Sequence, residues 1–231
     1  ARAWRSVLGL CDAPTQEALL TSLVRTMQTR LLPSHYAWPV AHDELAPGTE
    51  GRAFLSHDAW RWGLTAYDTL HTIAAEVLDR MHVLLHVVNT PLMAMAATSW
   101  AMEKEAVVTL EGLVQWWSDP RRIRYATYPL EQCVTTQMLT AIRHSDTTPL
   151  ATHAHSPMFL RGVSSHLEHT DARIRRLGML VAEVLSQATN PKPLAFPEQV
   201  WEGRGDGRGA CRVLRAMKLR AIWWPAEPAL A

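Results

Sequence analysis

Cysteine is scarce in this chain, and the few cysteines are far apart. Cys11, Cys133 and Cys211 include no Cys-x-x-Cys pair. An odd number of widely spaced cysteines implies neither a disulfide framework nor a zinc ribbon. We therefore expect a reducing, intracellular compartment.

An excess of charge of one sign and long apolar runs are also missing. The 231 residues carry a formal net charge of +1, whereas a dedicated nucleic-acid-binding protein is strongly basic. Hydrophobic residues make up 48% of the chain, and this share excludes general disorder. Polar residues interrupt each apolar run before it reaches membrane-spanning length. We expect a chain with a sizeable core and no membrane partner.

Strand patterns are absent too, because no stretch sustains an alternation of apolar and polar residues. Apolar residues recur instead at helical spacing. This spacing predicts helices at about 14–32, 56–88, 91–117 (divided near 98–99), 129–144, 156–168, 172–187 and 208–222. Proline and glycine predict loops near 33–51 and 188–209. Asp119 is placed to cap a helix start with Pro120 at its first position, and Pro149 should stop any continuation of the helix that closes near 144.

The predicted helices suggest one helical-repeat region over residues 1–231. Each helix has one apolar stripe to bury against its neighbours in sequence, and the helices of an α-solenoid pack in this way. We therefore predict an all-α fold, an α-solenoid of divergent HEAT-like helical hairpins. A compact helical bundle is the alternative.

The sequence of residues 156–187 predicts two antiparallel helices joined by one turn. Ser156 is placed to cap the first helix, with Pro157 at its first position. Either Thr170 or Asp171 can cap the second helix. Helical spacing of apolar residues predicts the inner positions of both helices, which are Met158, Phe159, Val163 and Leu167 in the first and Ile174, Leu177, Val181, Val184 and Leu185 in the second. Gly178 lies in the middle of that helix, where glycine costs about 1 kcal/mol relative to alanine. A close helix crossing at Gly178 would explain its presence.

Three arginines crowd the start of the second helix of this hairpin, at Arg173, Arg175 and Arg176. Cations are mildly unfavourable there because the helix dipole has its positive end at the N-terminus. The carboxylates of a partner would explain these arginines. A solvated basic face is the alternative interpretation.

The hairpin resembles the signature of the telomere length regulation protein family, the scaffold of the triple-T (TTT) co-chaperone complex. The resemblance is clearest over Ser156 to Trp201. It is carried by the run Arg175-Arg176-Leu177-Gly178-Met179, continuing through Val181-Ala182-Glu183, and by the segment Pro193-Leu194-Ala195-Phe196. The signature positions with an expected structural role are Pro157, Leu177, Gly178, Met179, Val181 and Phe196. The expected surface positions for protein interaction are Arg173, Arg175, Arg176 and Glu183.

The resemblance implies a non-enzymatic adaptor that needs no cofactor and works in the cytoplasm and nucleus. Its implied partners are the Tel-interacting subunits of the TTT complex, phosphatidylinositol-kinase-related kinases and the heat-shock chaperone machinery. Together with these partners, the family stabilises and matures newly made kinases. Telomere maintenance, DNA-damage signalling and nutrient signalling depend on those kinases.

The residues themselves favour no catalytic or metal chemistry. His166 and His169 lie near one helix face, but no cysteine or carboxylate pair completes a tetrahedral metal site. The glycine-rich run 203–209 lacks the Gly-Lys-Ser/Thr ending of a phosphate-binding loop. The runner-up function is a helical nucleic-acid-binding module with an arginine-rich edge. That edge would consist of Arg121, Arg122, Arg124, Arg161, Arg173, Arg175 and Arg176.

Overall fold

A computed structural model describes residues 10–26, 28–29, 47–48 and 91–219. Every regular element in these residues is helical, so the all-α prediction is confirmed for the part of the chain that is described. The helices are α1 (Ala13–Thr26), α2 (Pro91–Trp117), α3 (Pro120–Arg124), α4 (Tyr128–His144), α5 (Thr147–Ala154), α6 (Pro157–Leu167), α7 (Ala172–Thr189) and α8 (Arg208–Leu219). The predicted helix at 56–88 and most of the predicted loop at 33–51 lie outside the described residues.

Local capping signals set the starts of three helices. The Asp119 carboxylate accepts a hydrogen bond from the Arg121 amide at the start of α3. The Ser156 hydroxyl accepts from the Phe159 amide at the start of α6, and Asp171 caps α7 in the same way. These side chains satisfy amides that have no partner inside the helix. The predicted starts are therefore confirmed, and Asp171 rather than Thr170 is the cap of α7.

One predicted helix division is wrong, and one helix was not predicted. Helix α2 continues through Thr98 and Ser99, where a division was expected. Thr98 is fully buried between the buried residues Ala97 and Ala101, and this packing outweighs the small helix-propensity penalty of threonine and serine. The helix predicted to close near 144 does end there, as α4, but a separate helix that was not predicted, α5, begins at Thr147 and has Pro149 in its first turn. Proline is tolerated there because first-turn amides have no intrahelical acceptor.

Helices α4 and α7 form the centre of the described fold. Helix α7 packs against α4, α5, α6 and α8, and α2 packs along α4. Every residue of α4 from 131 to 142 is buried. The predicted stripe of α7 is confirmed as buried at Ile174, Leu177, Val181, Val184 and Leu185. Both helices bury more than the single stripe expected of them, because neighbours cover them on several sides.

The segment between α7 and α8 is mostly irregular, as predicted. It contains one 3-10 turn at Glu198–Val200. Gly203, Gly205 and Gly207 adopt positive φ angles there, as does Asp206. The chain then enters α8, where the side chains of Val213 and Leu214 are buried against the core.

Candidate functional site

Helices α6 and α7 meet in a close crossing at Gly178. A Cβ atom added to Gly178 would lie 2.8 Å from Cγ of His166, and closer still to its Cβ. Real Cβ atoms do not approach other carbons this closely, so only glycine fits at position 178. The predicted reason for this glycine is confirmed.

The buried face of α6 agrees with the predicted one only in part. The prediction placed Leu167 inside, but 43% of its surface is exposed. Phe159, Gly162 and His166 are the buried residues of α6. Gly162 fits against Ser118, because a Cβ at position 162 would lie 2.8 Å from the Ser118 Cα. Phe159 is buried as predicted, but a pattern of large apolar residues did not reveal the other two residues of this face, a glycine and a histidine.

A buried polar network joins α3, α4 and α6. The Glu131 carboxylate is fully buried and accepts hydrogen bonds from Arg122 Nη1 at 2.6 Å and from His166 Nε2 at 2.9 Å. Nδ1 of His166 lies 2.8 Å from the Gly162 carbonyl oxygen, which can only accept. Both imidazole nitrogens therefore donate when Glu131 is ionised. The network connects three helices through one carboxylate.

The electrostatics of this network keep Glu131 charged. Burial by itself raises the pKa of Glu131, but the His166 hydrogen bond and the Arg122 charge outweigh burial and lower that pKa to about 2. Trp117 stacks on the His166 ring with 4.3 Å between the ring centroids. Phe159 stacks on the same tryptophan at 5.1 Å. The side chains of Glu131 and His166 have no exposed surface, so the pair holds helices together and contacts no solvent.

Glu183 has the second buried carboxylate of the described fold, and its position differs from the predicted one. This residue was expected at the surface, and that expectation is wrong because its side chain is fully buried. Its carboxylate accepts from Arg215 Nε at 2.9 Å and from the Phe196 amide at 3.0 Å. The Phe196 ring packs edge-on against Trp201. Glu183 therefore fastens α8 and the segment after α7 onto α7.

The remaining signature positions are divided between core and surface. Leu177, Gly178 and Val181 are buried, as expected for packing residues. Met179 is half-buried beside the core, and Pro157 is exposed at the first position of α6.

Arg173 and Arg175 have acceptors within the chain. Arg173 forms an ion pair with Asp171 at 2.7 Å, and its guanidinium lies 4.6 Å from the centre of the Tyr128 ring. Nη1 of Arg175 donates to the carbonyl oxygens of His169 and Thr170, at 2.7 and 2.9 Å. These carbonyls belong to the turn between α6 and α7. The chain itself thus supplies groups that offset the unfavourable position of two of the three cations.

Arg176 connects α7 to the glycine-rich segment. Its Nε donates to the Val200 carbonyl oxygen at 3.3 Å, and its Nη1 donates to the Asp206 carbonyl oxygen. Burial is the largest cause that lowers the pKa of Arg176, and the charge of Arg208 lowers it further. Its side chain is only 14% exposed. Arg176 therefore stabilises an internal contact.

The seven arginines predicted to share one edge have different environments. Arg122 is inside, at Glu131, and Arg176 is largely buried. Arg121, Arg124 and Arg161 are exposed, and their guanidiniums donate to no acceptor in the described part of the chain. These three arginines were candidates in the sequence. The structure separates them from the other four, whose guanidiniums have acceptors inside the chain.

The described residues contain no group of three or more His, Cys, Asp or Glu side chains arranged to hold a metal ion. None of the described helices is both long and apolar enough to cross a membrane. The cysteines form no disulfide, and burial raises the pKa of the Cys133 thiol.

Comparisons with protein-family models, with curated proteins and with solved structures find no match to this chain. The resemblance of Ser156 to Trp201 therefore rests on the residues themselves.

Proposed function

We propose that this chain is a non-enzymatic scaffold segment of the telomere length regulation type. In this proposal it works in the TTT complex with the Tel-interacting subunits and the heat-shock chaperone machinery. Its clients are phosphatidylinositol-kinase-related kinases, which it helps to stabilise and mature in the cytoplasm and nucleus. No cofactor is required for this role.

The observation that carries the proposal is the close α6–α7 crossing inside the segment that resembles the family. The signature glycine, Gly178, is in contact with His166, and His166 is hydrogen bonded to Glu131. The signature acid, Glu183, holds the segment that contains the signature Phe196. The residues that carry the resemblance are thus used to hold helices and the following segment together, which is what a rigid scaffold requires.

The buried polar groups also support a scaffold. Glu131 and His166 are the kind of pair that could transfer protons in an enzyme. Both side chains lie completely inside the fold, where they cannot touch a substrate. Glu183 is equally buried and paired with Arg215. These groups stabilise the packing between helices.

We further propose that the helices are arranged as HEAT-like hairpins of an α-solenoid. Two successive helix pairs, α2 with α4 and α6 with α7, lie side by side because α4 packs against α7. Stacked pairs of this kind build an extended binding surface. Small-angle scattering checks the shape, since a compact globule of this length has a radius of gyration of roughly 17 Å. A clearly larger value supports the solenoid, and roughly 17 Å supports the bundle.

Reconstitution with purified partners tests the function. The chain is mixed with the Tel-interacting subunits, and co-elution is measured by size-exclusion chromatography. We expect the wild type to co-elute and Gly178→Leu to lose affinity, because a side chain at position 178 separates α6 from α7. Gly112→Leu is the matched control, since a Cβ at exposed Gly112 meets no atom within 4 Å.

Absence of co-elution with a folded wild-type chain contradicts the proposed function. Equal binding by the Gly178→Leu and Gly112→Leu variants contradicts the role of the hairpin. A second readout is the half-life of the client kinases in cells in which the variant replaces the wild-type sequence.

A further inference from the structure

We propose that Arg121, Arg124, Tyr125 and Arg161 form a docking surface for an acidic segment of a partner protein. This α3–α6 arginine patch deepens the proposed function, on which it rests. It moves the expected contact away from Arg173, Arg175 and Arg176, whose guanidiniums have acceptors inside the chain.

The fold places the two helices that carry the patch next to each other. Helices α3 and α6 pack against each other, and Gly162 of α6 contacts Ser118, just before the start of α3. His166 of α6 points to α7 and lies about 40° around the helix from Gly162. Arg161 lies about 100° beyond Gly162 on the side away from His166. It therefore emerges on a flank of α6 that is turned away from the contact with α7, where it is exposed.

The cations of the patch are available for binding. Arg121, Arg124 and Arg161 are all exposed, and none donates from its guanidinium to an acceptor among the described residues. Arg122, in the middle of α3, shows the opposite behaviour. It is only 9% exposed and is held by Glu131. Helix α3 thus has one buried arginine that pairs with Glu131 and two exposed arginines whose guanidiniums have no acceptor among the described residues.

An exposed aromatic ring completes the patch. Tyr125 follows α3 directly and is 78% exposed, and the guanidinium of Arg124 lies 5.8 Å from the centre of its ring. Tyrosine and arginine are among the residues that contribute most to protein–protein binding. The acidic residue nearest in sequence, Asp119, uses its carboxylate to cap α3. The patch therefore presents positive charge beside a large aromatic surface.

The charge distribution favours a protein partner over nucleic acid. Nucleic-acid-binding domains have a strongly basic composition and a basic stripe that follows the phosphates. This chain has a net charge of +1 and a pI near 8.0, and the patch occupies only two adjacent helices. A guanidinium binds a carboxylate through two parallel hydrogen bonds. Glutamate and aspartate side chains therefore match these arginines.

Fluorescence anisotropy with the full chain tests the proposal. The probe is a short, fluorescently labelled peptide rich in glutamate, and the comparison probes are its glutamine counterpart and a labelled DNA duplex. We expect the wild type to bind the glutamate peptide more tightly than either comparison probe. The variant Arg121→Glu/Arg124→Glu/Arg161→Glu is expected to weaken that binding about tenfold or more.

The matched control reverses the same number of charges elsewhere, in Arg25→Glu/Arg143→Glu/Arg204→Glu. These arginines are also exposed. We expect this control to change the affinity much less than the patch variant does. The neutral variant Arg121→Gln/Arg124→Gln/Arg161→Gln is measured alongside, and it gives the same ordering even if charge reversal impairs folding. Circular dichroism checks that each variant melts as the wild type does.

Three results overturn the proposal: no preference of the wild type for the glutamate peptide, equal losses in the patch and control variants, or tighter binding of the duplex. The proposed function fails separately. If the Tel-interacting subunits do not co-elute while peptide binding stays patch-dependent, the patch stands and the TTT assignment falls. If the subunits co-elute and the patch variant binds the peptide normally, only the patch is rejected.

Discussion

The His166 side chain lies directly against Gly178, so α6 and α7 approach each other at a position that has room for hydrogen alone. The same histidine donates to Glu131 on α4. The contact between α6 and α7 is thus connected to the buried network that reaches α4. Substitutions at Gly178 or at Glu131 are therefore expected to change the free energy of unfolding.

Gly178→Ala is expected to destabilise the fold by about 1–3 kcal/mol, because its methyl group overlaps the His166 side chain. Gly112→Ala is the control, and it is expected to stabilise by about 0.5–1 kcal/mol because position 112 is open and helical. Chemical denaturation measures both free energies of unfolding. Equal effects of the two substitutions would falsify the close-crossing argument.

Glu131→Gln is expected to change how stability depends on pH. The pKa of Glu131 is about 2 in the fold, below its ordinary value of 4.5. The ionised carboxylate therefore stabilises the fold above pH 4.5, and this contribution, about 3 kcal/mol, is lost as the pH falls towards 2. Denaturation at a series of acidic pH values should show a shallower pH dependence for the variant.

Asp146→Asn is the control for this pH series. This variant removes the same charge at an exposed position whose side chain makes no capping bond. If the free energy of unfolding of Glu131→Gln changes with pH as that of the wild type does, the ionised Glu131 carboxylate does not stabilise the fold.

The two carboxylates that contact Arg215 are expected to differ in their contribution to stability. Glu183 is fully buried, whereas 63% of the Glu198 side chain is exposed. Glu183→Gln should destabilise by about 1–3 kcal/mol, because it disturbs a buried charged network. Glu198→Gln should cost less than about 1 kcal/mol. Thermal melts of the two variants check this order, and the reverse order would contradict the assignment of Glu183 to the interior.

Arg175→Ala is expected to destabilise the fold by about 1 kcal/mol, because the turn between α6 and α7 loses the donor to its two carbonyl oxygens. Arg161→Ala removes an arginine that has no acceptor in the described residues and should leave the melting temperature nearly unchanged. Comparing the two melts separates arginines with a structural role from those that are available for binding. Similar losses for both would contradict this division.

Sequence reasoning succeeded where the signal is local. The caps at Asp119 and Ser156 act on amides two or three residues away, so they are visible in the sequence. The reason for Gly178 was also predictable, since a glycine inside an apolar helical pattern indicates a close approach. The missed helix α5 and the continuity of α2 show that the effects of proline, threonine and serine depend on their position in a turn and on burial.

The candidate site was less predictable. The burial of Glu183 depends on Arg215 and on the segment around Phe196, which come from later parts of the chain. Arg176 looked like a surface group because its acceptors at Val200 and Asp206 are distant in sequence.

The sequence by itself determined the helical class of this protein, the starts of its capped helices and the need for a close crossing at Gly178. These depend on interactions within a turn or two of one helix. Only the tertiary structure decided which charges are enclosed and which stay exposed. Glu131 and His166 are 35 residues apart and meet only when α4 and α6 come together. The burial of a charged group depends on such distant partners, and helical periodicity does not reveal them.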